Sequence, residues 1–239
     1  MKYVVSDIHG DYERFHDILE KIHLQDDDTL FIIGDVIDRG KDGIKLLLEI
    51  MEMPNVKMLM GNHEYMMLQA LSESIDKWDR FFYLRQWYSN GGQVTHEAFK
   101  ALSPELQQKV LKFLDRLYVT YTLNAGGRKY TLVHAAPPKM YYSLPRYDVS
   151  EYSCVKEFAV WYRLSSDKNL PKGSIYVHGH TPTNHEILFC EEMKIYREPR
   201  RINIDCGCGY SCGYHGITGY LACLRLDDGE EFYSFPKND

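Results

Sequence analysis

The sequence predicts an α/β fold organised around a largely parallel sheet, and two patterns predict it. Short apolar runs rich in β-branched residues recur along the chain, and each ends abruptly in a polar residue of ligand type. Between the early runs lie segments with helical spacing, Tyr12 to His23 and Asp42 to Met53. Continuous apolar runs of this length read as strands buried on both faces, and their alternation with helices is the mark of βαβ units. The 239 residues, 44% of them hydrophobic, are enough to bury a substantial core, and a single domain over 1–239 is expected.

Taken in order, the runs are these. Lys2 to Ser6 leads into Asp7-Ile8-His9-Gly10, Thr29 to Gly34 into Asp35, and Val56 to Gly61 into Asn62-His63-Glu64. Later, Lys129 to Val133 leads into His134, Ser174 to Val177 into His178-Gly179-His180, and Ile202 to Ile204 into Asp205. Ligands of parallel sheets bind just beyond the carboxyl ends of the strands, so this edge is expected to carry the site. Lys77 to Leu117 mixes aromatics with helix formers and is broken at Gly91-Gly92 and Ser103-Pro104; it reads as a helical insertion. Tyr142 to Leu170 reads as an irregular segment placed to cover a substrate. Tyr220 to Leu226, then Asp227-Asp228-Gly229, then Glu230 to Phe235 reads as a closing hairpin with a DG turn.

The formal net charge of −6 argues against a general nucleic-acid binder, which needs a basic face. No stretch approaches the roughly 20 apolar residues that span a bilayer, and the N-terminus lacks the apolar length of a signal peptide; a cytoplasmic protein without a membrane partner is expected. Cys206, Cys208 and Cys212 cluster, while Cys154, Cys190 and Cys223 are scattered. Paired zinc-knuckle spacing is lacking, so buried or idle thiols are expected.

The strand ends gather Asp7, His9, Asp35, Asn62, His134 and His180, which offer carboxylate, amide and imidazole donors without thiolate. Six such ligands exceed what one catalytic ion takes from protein, because that ion keeps positions open. Two ions sharing a bridging carboxylate account for the number, and mixed O and N donors suit Mn, Fe or Zn, with Mn²⁺ the expected activator. Two ions about 3.5–4 Å apart lower the pKa of a shared water and clamp the oxygens of a phosphoryl displacement. Arg39 can present its planar fork to two phosphate oxygens. His63, its tautomer fixed and its pKa raised by Asp38, can act as a general acid toward the leaving alkoxide.

Asp7-Ile-His9-Gly, Gly34-Asp35-Val-Ile-Asp38-Arg39-Gly40 and Gly61-Asn62-His63-Glu64 resemble the three signature motifs of the PPP-type serine/threonine protein phosphatases, within the calcineurin-like metallophosphoesterases. His134-Ala135 and Gly179-His180-Thr181-Pro182 resemble the two later metal-histidine motifs. Trp161-Tyr162-Arg163 is similar to the Trp-x-Arg segment of the lambda-phage and bacterial enzymes, and Ile204-Asp205-Cys206-Gly207 to their late strand. The resemblance implies a layered α/β/β/α sandwich with mixed sheets and hydrolysis of phosphomonoesters in phosphorylated proteins or peptides. It implies that Asp7, His9 and Asp35 hold one metal, that Asp35, Asn62, His134 and His180 hold the other, and that Arg39, Arg163 and Asn62 contact the phosphate. Two positions depart from the pattern: Ser6 stands in place of Gly, and Met60 where the eukaryotic enzymes often carry Arg. The second departure points to a compact bacterial or phage-like enzyme.

One rival is a symmetrical dinucleoside-polyphosphate hydrolase of the same superfamily. That group lacks the acid in the Asp-Arg-Gly motif, so Asp38 argues against it. A rival of another class is a metal-binding module without catalysis. Pure scaffolding needs none of Asp38, Arg39, His63 or Arg163, which argues against that reading. His96, His178, His185 and His215 carry no assigned role.

Overall fold

The computed structural model describes residues 1–72, 76–185, 192–210 and 219–235. The first sheet contains β1 (Lys2–Val5), β2 (Thr29–Ile32), β3 (Val56–Met58), β9 (Leu221–Arg225) and β10 (Glu231–Ser234), in the order β10-β9-β1-β2-β3. The second contains β4 (Thr120–Ala125), β5 (Arg128–Val133), β6 (Ile175–His178), β7 (Tyr196–Glu198) and β8 (Arg201–Asn203), in the order β4-β5-β6-β8-β7. The expectation of one largely parallel sheet is corrected to two mixed ones. Parallel pairing holds for β1-β2-β3 and for β5-β6-β8, while β9, β10, β4 and β7 join antiparallel at the flanks.

The period-2 alternation of each strand builds the layers. Tyr3, Val5, Leu30 and Ile32 pack outward against α1 (Tyr12–Ile22), α2 (Gly43–Glu52) and α3 (Asn62–Leu71), while Val4, Phe31 and Ile33 point inward onto Leu132, Val177 and Ile202 of the second sheet. Outside the second sheet, Tyr176 packs with Met140, Phe158 and Leu164. This is the layered α/β/β/α sandwich that the motifs implied.

The helical insertion consists of α4 (Lys77–Ser89), α5 (Gln93–Lys100) and α6 (Pro104–Asp115). Both breaks fall where the sequence places them: Gly91 adopts φ +93°, and Ser103 caps α6 by accepting from the Leu106 N–H with Pro104 in the first turn. The segment Tyr142 to Leu170 is more ordered than expected. It carries α7 (Arg146–Val149) and α8 (Val155–Trp161), because Val149, Phe158, Leu164 and Leu170 give it a core of its own. The closing hairpin is present, with Glu231 paired to Leu224 and Gly229 at φ +84°. Cys206, Cys208 and Cys223 are buried free thiols as expected, whereas Cys154 is exposed at the N-cap of α8. Cys190, Cys212 and His215, and the side chain of His185, lie outside the described residues. Among the described residues, no helix is long and apolar enough to cross a membrane.

Candidate metal centre

Parallel pairing within each sheet puts the carboxyl ends of β1, β2 and β3, and of β5, β6 and β8, at common edges. The loops after them supply every residue of the site. Asp7 and His9 follow β1, and Asp35, Asp38 and Arg39 follow β2; Asn62 and His63 open α3 after β3. His134 follows β5, and His180 follows β6. All are buried except Arg39. Asp7, His9, Asp35, Arg39, Asn62, His63, Arg163 and His180 line one small pocket of about 40 Å³, and His134 touches it through Asn62 and Asp35.

The loops are locked to each other by the backbone. Asp7 N–H donates to Gly34 O at 3.2 Å, His9 N–H to Asp35 O at 3.0 Å, and Gly10 N–H to Val36 O at 2.7 Å. Glu64, fully buried, accepts from Asp35 N at 2.9 Å, Val36 N at 2.9 Å, Ile37 N at 3.4 Å and Gly61 N at 3.0 Å, tying the β2 and β3 loops together. Burial and the neighbouring Asp35 push Glu64 up to about 7, against the pull of those N–H groups. Four converging donors are nonetheless the surroundings of an ionised acceptor. Ser6, the departure from the family's glycine, donates its hydroxyl to Asp7 Oδ2 and so steers that carboxylate.

Three imidazoles share one orientation rule. His9 Nδ1 donates to Ile37 O at 3.2 Å, His134 Nδ1 to Ile33 O at 2.8 Å, and His180 Nε2 to Trp161 O at 3.1 Å. Backbone carbonyls only accept, so each ring's other nitrogen turns a lone pair inward. Those lone pairs meet acceptors. His134 Nε2 and His180 Nδ1 both lie 2.9 Å from Asn62 Oδ1. Asp35 Oδ2 lies 3.4 Å from His134 Nε2 and 3.8 Å from His9 Nε2. Acceptors converging on acceptors inside a protein need protons or cations between them, and this donor set fits two divalent ions, with Asp35 common to both candidate groups. In their absence protons take that role. Burial disfavours the charge, but Asp35 and Asp7 outweigh it and carry His134 up to about 10. Burial holds His9 well below the usual histidine value, seconded by Arg39, and His180 likewise, seconded by His134.

His63 is differently placed. Its Nδ1 donates to Asp38 Oδ2 at 2.6 Å, while Nε2 faces Arg39 Nη2 at 3.3 Å and Asp35 Oδ2 at 3.8 Å. Within reach of His9 and Asp35, it forms a group that by distance alone could also hold an ion. Burial opposes its charge; Asp35 and the bond to Asp38 more than compensate and raise its pKa above the ordinary value. Arg39 stacks on the Tyr210 ring at 4.9 Å, and Arg163 Nη1 donates to His180 O at 3.3 Å and Thr181 Oγ1 at 3.0 Å. Every site residue expected from the sequence is therefore brought to one place. Asn90, Asp205 and Tyr210 also line the pocket and were given no role. Asp205 carried the strand-end signal, and burial beside Asp7 raises its pKa well above the carboxylate range. Tyr210 carried no signal. A wider cleft of about 610 Å³ opens beside the site and shares His9 and Arg39 with it.

Histidine and aspartate donors grouped in this way at the strand ends of a two-sheet sandwich are a set suited to holding divalent ions. The chain belongs to the calcineurin-like phosphoesterases, whose family profile matches residues 3–222, and enzymes of that family use two divalent metal ions. It is 31% identical over 137 residues to serine/threonine-protein phosphatase 2 of Salmonella typhimurium, covering 57% of this chain and 58% of that one. Over 64 residues it is 41% identical to a symmetrical bis(5′-nucleosyl)-tetraphosphatase of Buchnera aphidicola, covering 26% of this chain and 23% of the relative. The chain thus matches little more than half the length of the first relative and under a quarter of the second. A solved structure described as a putative diadenosine tetraphosphatase superposes with TM-score 0.62 at 15% identity, covering 100% of this chain and 94% of that one, and shares the fold.

Proposed function

We propose that the protein is a cytoplasmic phosphoprotein phosphatase that hydrolyses phosphoserine and phosphothreonine monoesters, with phosphotyrosine as a further substrate. Asp7, His9 and Asp35 hold one ion; Asp35, Asn62, His134 and His180 hold the other; Mn²⁺ is the activator. When bound, the ions neutralise phosphoryl charge and acidify the attacking water. Arg39 and Arg163 bind the phosphate oxygens, joined by the Asn62 amide. His63 Nε2 gives its proton to the leaving alkoxide oxygen as the P–O bond breaks, and Asp38 keeps the Nδ1–H in place.

The observation that carries this reading is the 2.6 Å bond from His63 to Asp38, which aims Nε2 into the pocket beside Arg39. An alkoxide is a poor leaving group and needs a proton, whereas a nucleotide leaves as an anion already stable at neutral pH. A built general acid therefore favours monoesters of serine and threonine over dinucleoside polyphosphates. The second reading, dinucleoside-polyphosphate hydrolysis, draws on the Buchnera relative and on the cleft beside the site. One experiment separates them: phosphopeptides, nucleotides and dinucleoside tetraphosphates assayed in parallel after chelation and Mn²⁺ add-back. Phosphopeptide turnover that vanishes on chelation and returns with Mn²⁺ is expected. Faster turnover of the tetraphosphates overturns the substrate class, and turnover indifferent to chelation overturns the mechanism.

A further inference from the structure

The insertion between α3 and β4 reads in the sequence as helices interrupted by glycines, yet its middle stretch reaches the site at four points. Trp87, fully buried near the end of α4, donates its Nε1–H to Asp38 Oδ2 at 2.8 Å, the same oxygen that accepts His63 Nδ1 at 2.6 Å. Thr95 Oγ1, in α5, accepts the Asp38 N–H at 2.9 Å. Gly91 O accepts the Arg39 N–H at 3.1 Å, and Asn90 lines the pocket. Asp38 and Arg39 adopt φ +74° and +68°, a backbone state that non-glycine residues hold only when their surroundings enforce it.

The indole itself is boxed in. A side-chain carbon on Gly92 would lie 2.2 Å from the ring, so only glycine fits there, and His96 stacks over the ring at 5.4 Å between centroids. Asp38 Oδ1, by contrast, has no partner among the described residues. The carboxylate is thus held through one oxygen by two donors. Without the indole N–H, His63 would be the carboxylate's one hydrogen-bond donor among the described residues, and the group would be freer to turn about its Cβ–Cγ bond, which carries Oδ2 away from Nδ1.

We infer that Trp87, supported by Thr95, is a positioning residue for proton delivery by His63: the insertion fixes the Asp38 carboxylate, and through it the direction of His63 Nε2. This rests on the reading of His63 as general acid. In the step itself the proton on Nε2 passes to the alkoxide oxygen as the P–O bond breaks; the ring is left neutral with Nδ1–H still on Asp38.

The test compares Trp87→Phe and Thr95→Val with His63→Asn on two substrates, a phosphoserine peptide and p-nitrophenyl phosphate, in the Mn²⁺-loaded protein. The nitrophenolate leaves without help, so a defect in proton delivery shows only on the peptide. A general acid supplies about 10²–10⁴-fold, and Trp87→Phe should forfeit part of that, roughly tenfold in kcat for the peptide and under threefold for the aryl ester, with KM and Mn²⁺ content unchanged. Thr95→Val should show the same split to a smaller degree. A second readout needs no metal: the downfield proton resonance of His63 Nδ1–H in the chelated protein should move or broaden in Trp87→Phe. If His63→Asn shows no substrate-dependent loss, the acid reading itself is wrong. If His63→Asn shows it but Trp87→Phe lowers both substrates equally or neither, or leaves the resonance unmoved, the role given to Trp87 is overturned.

Discussion

Gly61 is where a single added methyl group tests the centre most directly. A Cβ built on it would lie 2.1 Å from Asp35 Oδ1, 2.4 Å from Asp35 N and 2.8 Å from Glu64 Oε2. The first of these falls about 1.4 Å inside normal van der Waals separation, so Gly61→Ala must push the Asp35 carboxylate or the β3 loop by that order. The carboxylate has little room to yield, because Asp35 Oδ1 accepts the His63 N–H at 3.0 Å and Oδ2 faces three imidazoles within 3.8 Å. Overpacking of this kind costs about 1–3 kcal/mol. A chain of 239 residues unfolds with an entropy of roughly 0.5 kcal/mol/K, so Tm of the metal-free protein should fall by about 2–6 °C. The larger effect falls on function, since Asp35 is the proposed bridge between both ions. Disturbed metal-site geometry typically weakens binding about 10–100-fold, and misplacing reacting groups by about 1 Å can cost on the order of 10²-fold in rate. The assay is Mn²⁺ titration by calorimetry with turnover at saturating Mn²⁺; Gly127→Ala, where a Cβ meets nothing within 4 Å but is strained by φ +73°, serves as the control for a stability loss that leaves the centre untouched. Wild-type Mn²⁺ affinity and turnover in Gly61→Ala would refute the placement of Asp35 between the ions.

Two further outcomes are expected. Arg39→Ala and Arg163→Ala each remove a charged donor facing the pocket, worth about 1.5–3 kcal/mol, so the inhibition constant of inorganic phosphate should rise roughly 10–100-fold; an unchanged constant for either variant takes that arginine out of the clamp. Burial, seconded by Arg201, lowers His178 from 6.5 to about 3, and it is the neutral ring whose Nδ1 donates to Gly179 O at 3.1 Å. A folded value below the unfolded one leaves stability intact above pH 6.5 and erodes it as pH falls toward 3, by about 2 kcal/mol at pH 5 relative to pH 7. His178→Phe should therefore lose less Tm between pH 7 and pH 5 than the parent protein, and equal losses would show that His178 is not the group that titrates.

The ligand-bearing strand ends were legible because each couples two local signals, a continuous apolar run and an abrupt Asp, Asn or His. Their convergence needed parallel pairing within each sheet, which β1-β2-β3 and β5-β6-β8 obey, and the face-to-face packing of the two sheets, which no single strand end announces. What escaped notice lacked one signal or the other. Strands β4 and β7 lie at sheet edges and are half exposed, so neither shows a continuous apolar run. The turn at Gly126 and Gly127, with φ +51° and +73°, was the cue available for β4. The bonds from Trp87 and Thr95 to Asp38 span 49 and 57 residues, and nothing in the local sequence of α4 or α5 marks either side chain as different from a core residue. Gly91-Gly92 interrupt the helices as the sequence leads one to expect, and they also do more. The same residues that end α4 also bring Gly91 O to Arg39 N.

The strain pattern explains why so rigid a frame surrounds so few ligands. Of the described non-glycine residues with positive φ, all but His23, which ends α1, sit in the site: Asp7, His9, Asp35, Asp38, Arg39 and His180. Each such conformation costs on the order of 1–3 kcal/mol, and four of the residues so held, Asp7, His9, Asp35 and His180, turn acceptor atoms toward one another. Neither cost is offset locally. The sheets beneath, the loop-to-loop hydrogen bonds and the four N–H groups on Glu64 must hold the arrangement before any ion arrives. Bound cations would relieve the repulsion, and a frame assembled beforehand would keep the reorganisation that binding demands small. By linkage the ions return that energy as stability, by about 4 kcal/mol at a thousandfold excess over Kd. Loss of metal should accordingly soften the strand-end loops first and leave the packed faces of the two sheets, where Val4, Phe31, Leu132 and Val177 meet, protected from hydrogen exchange.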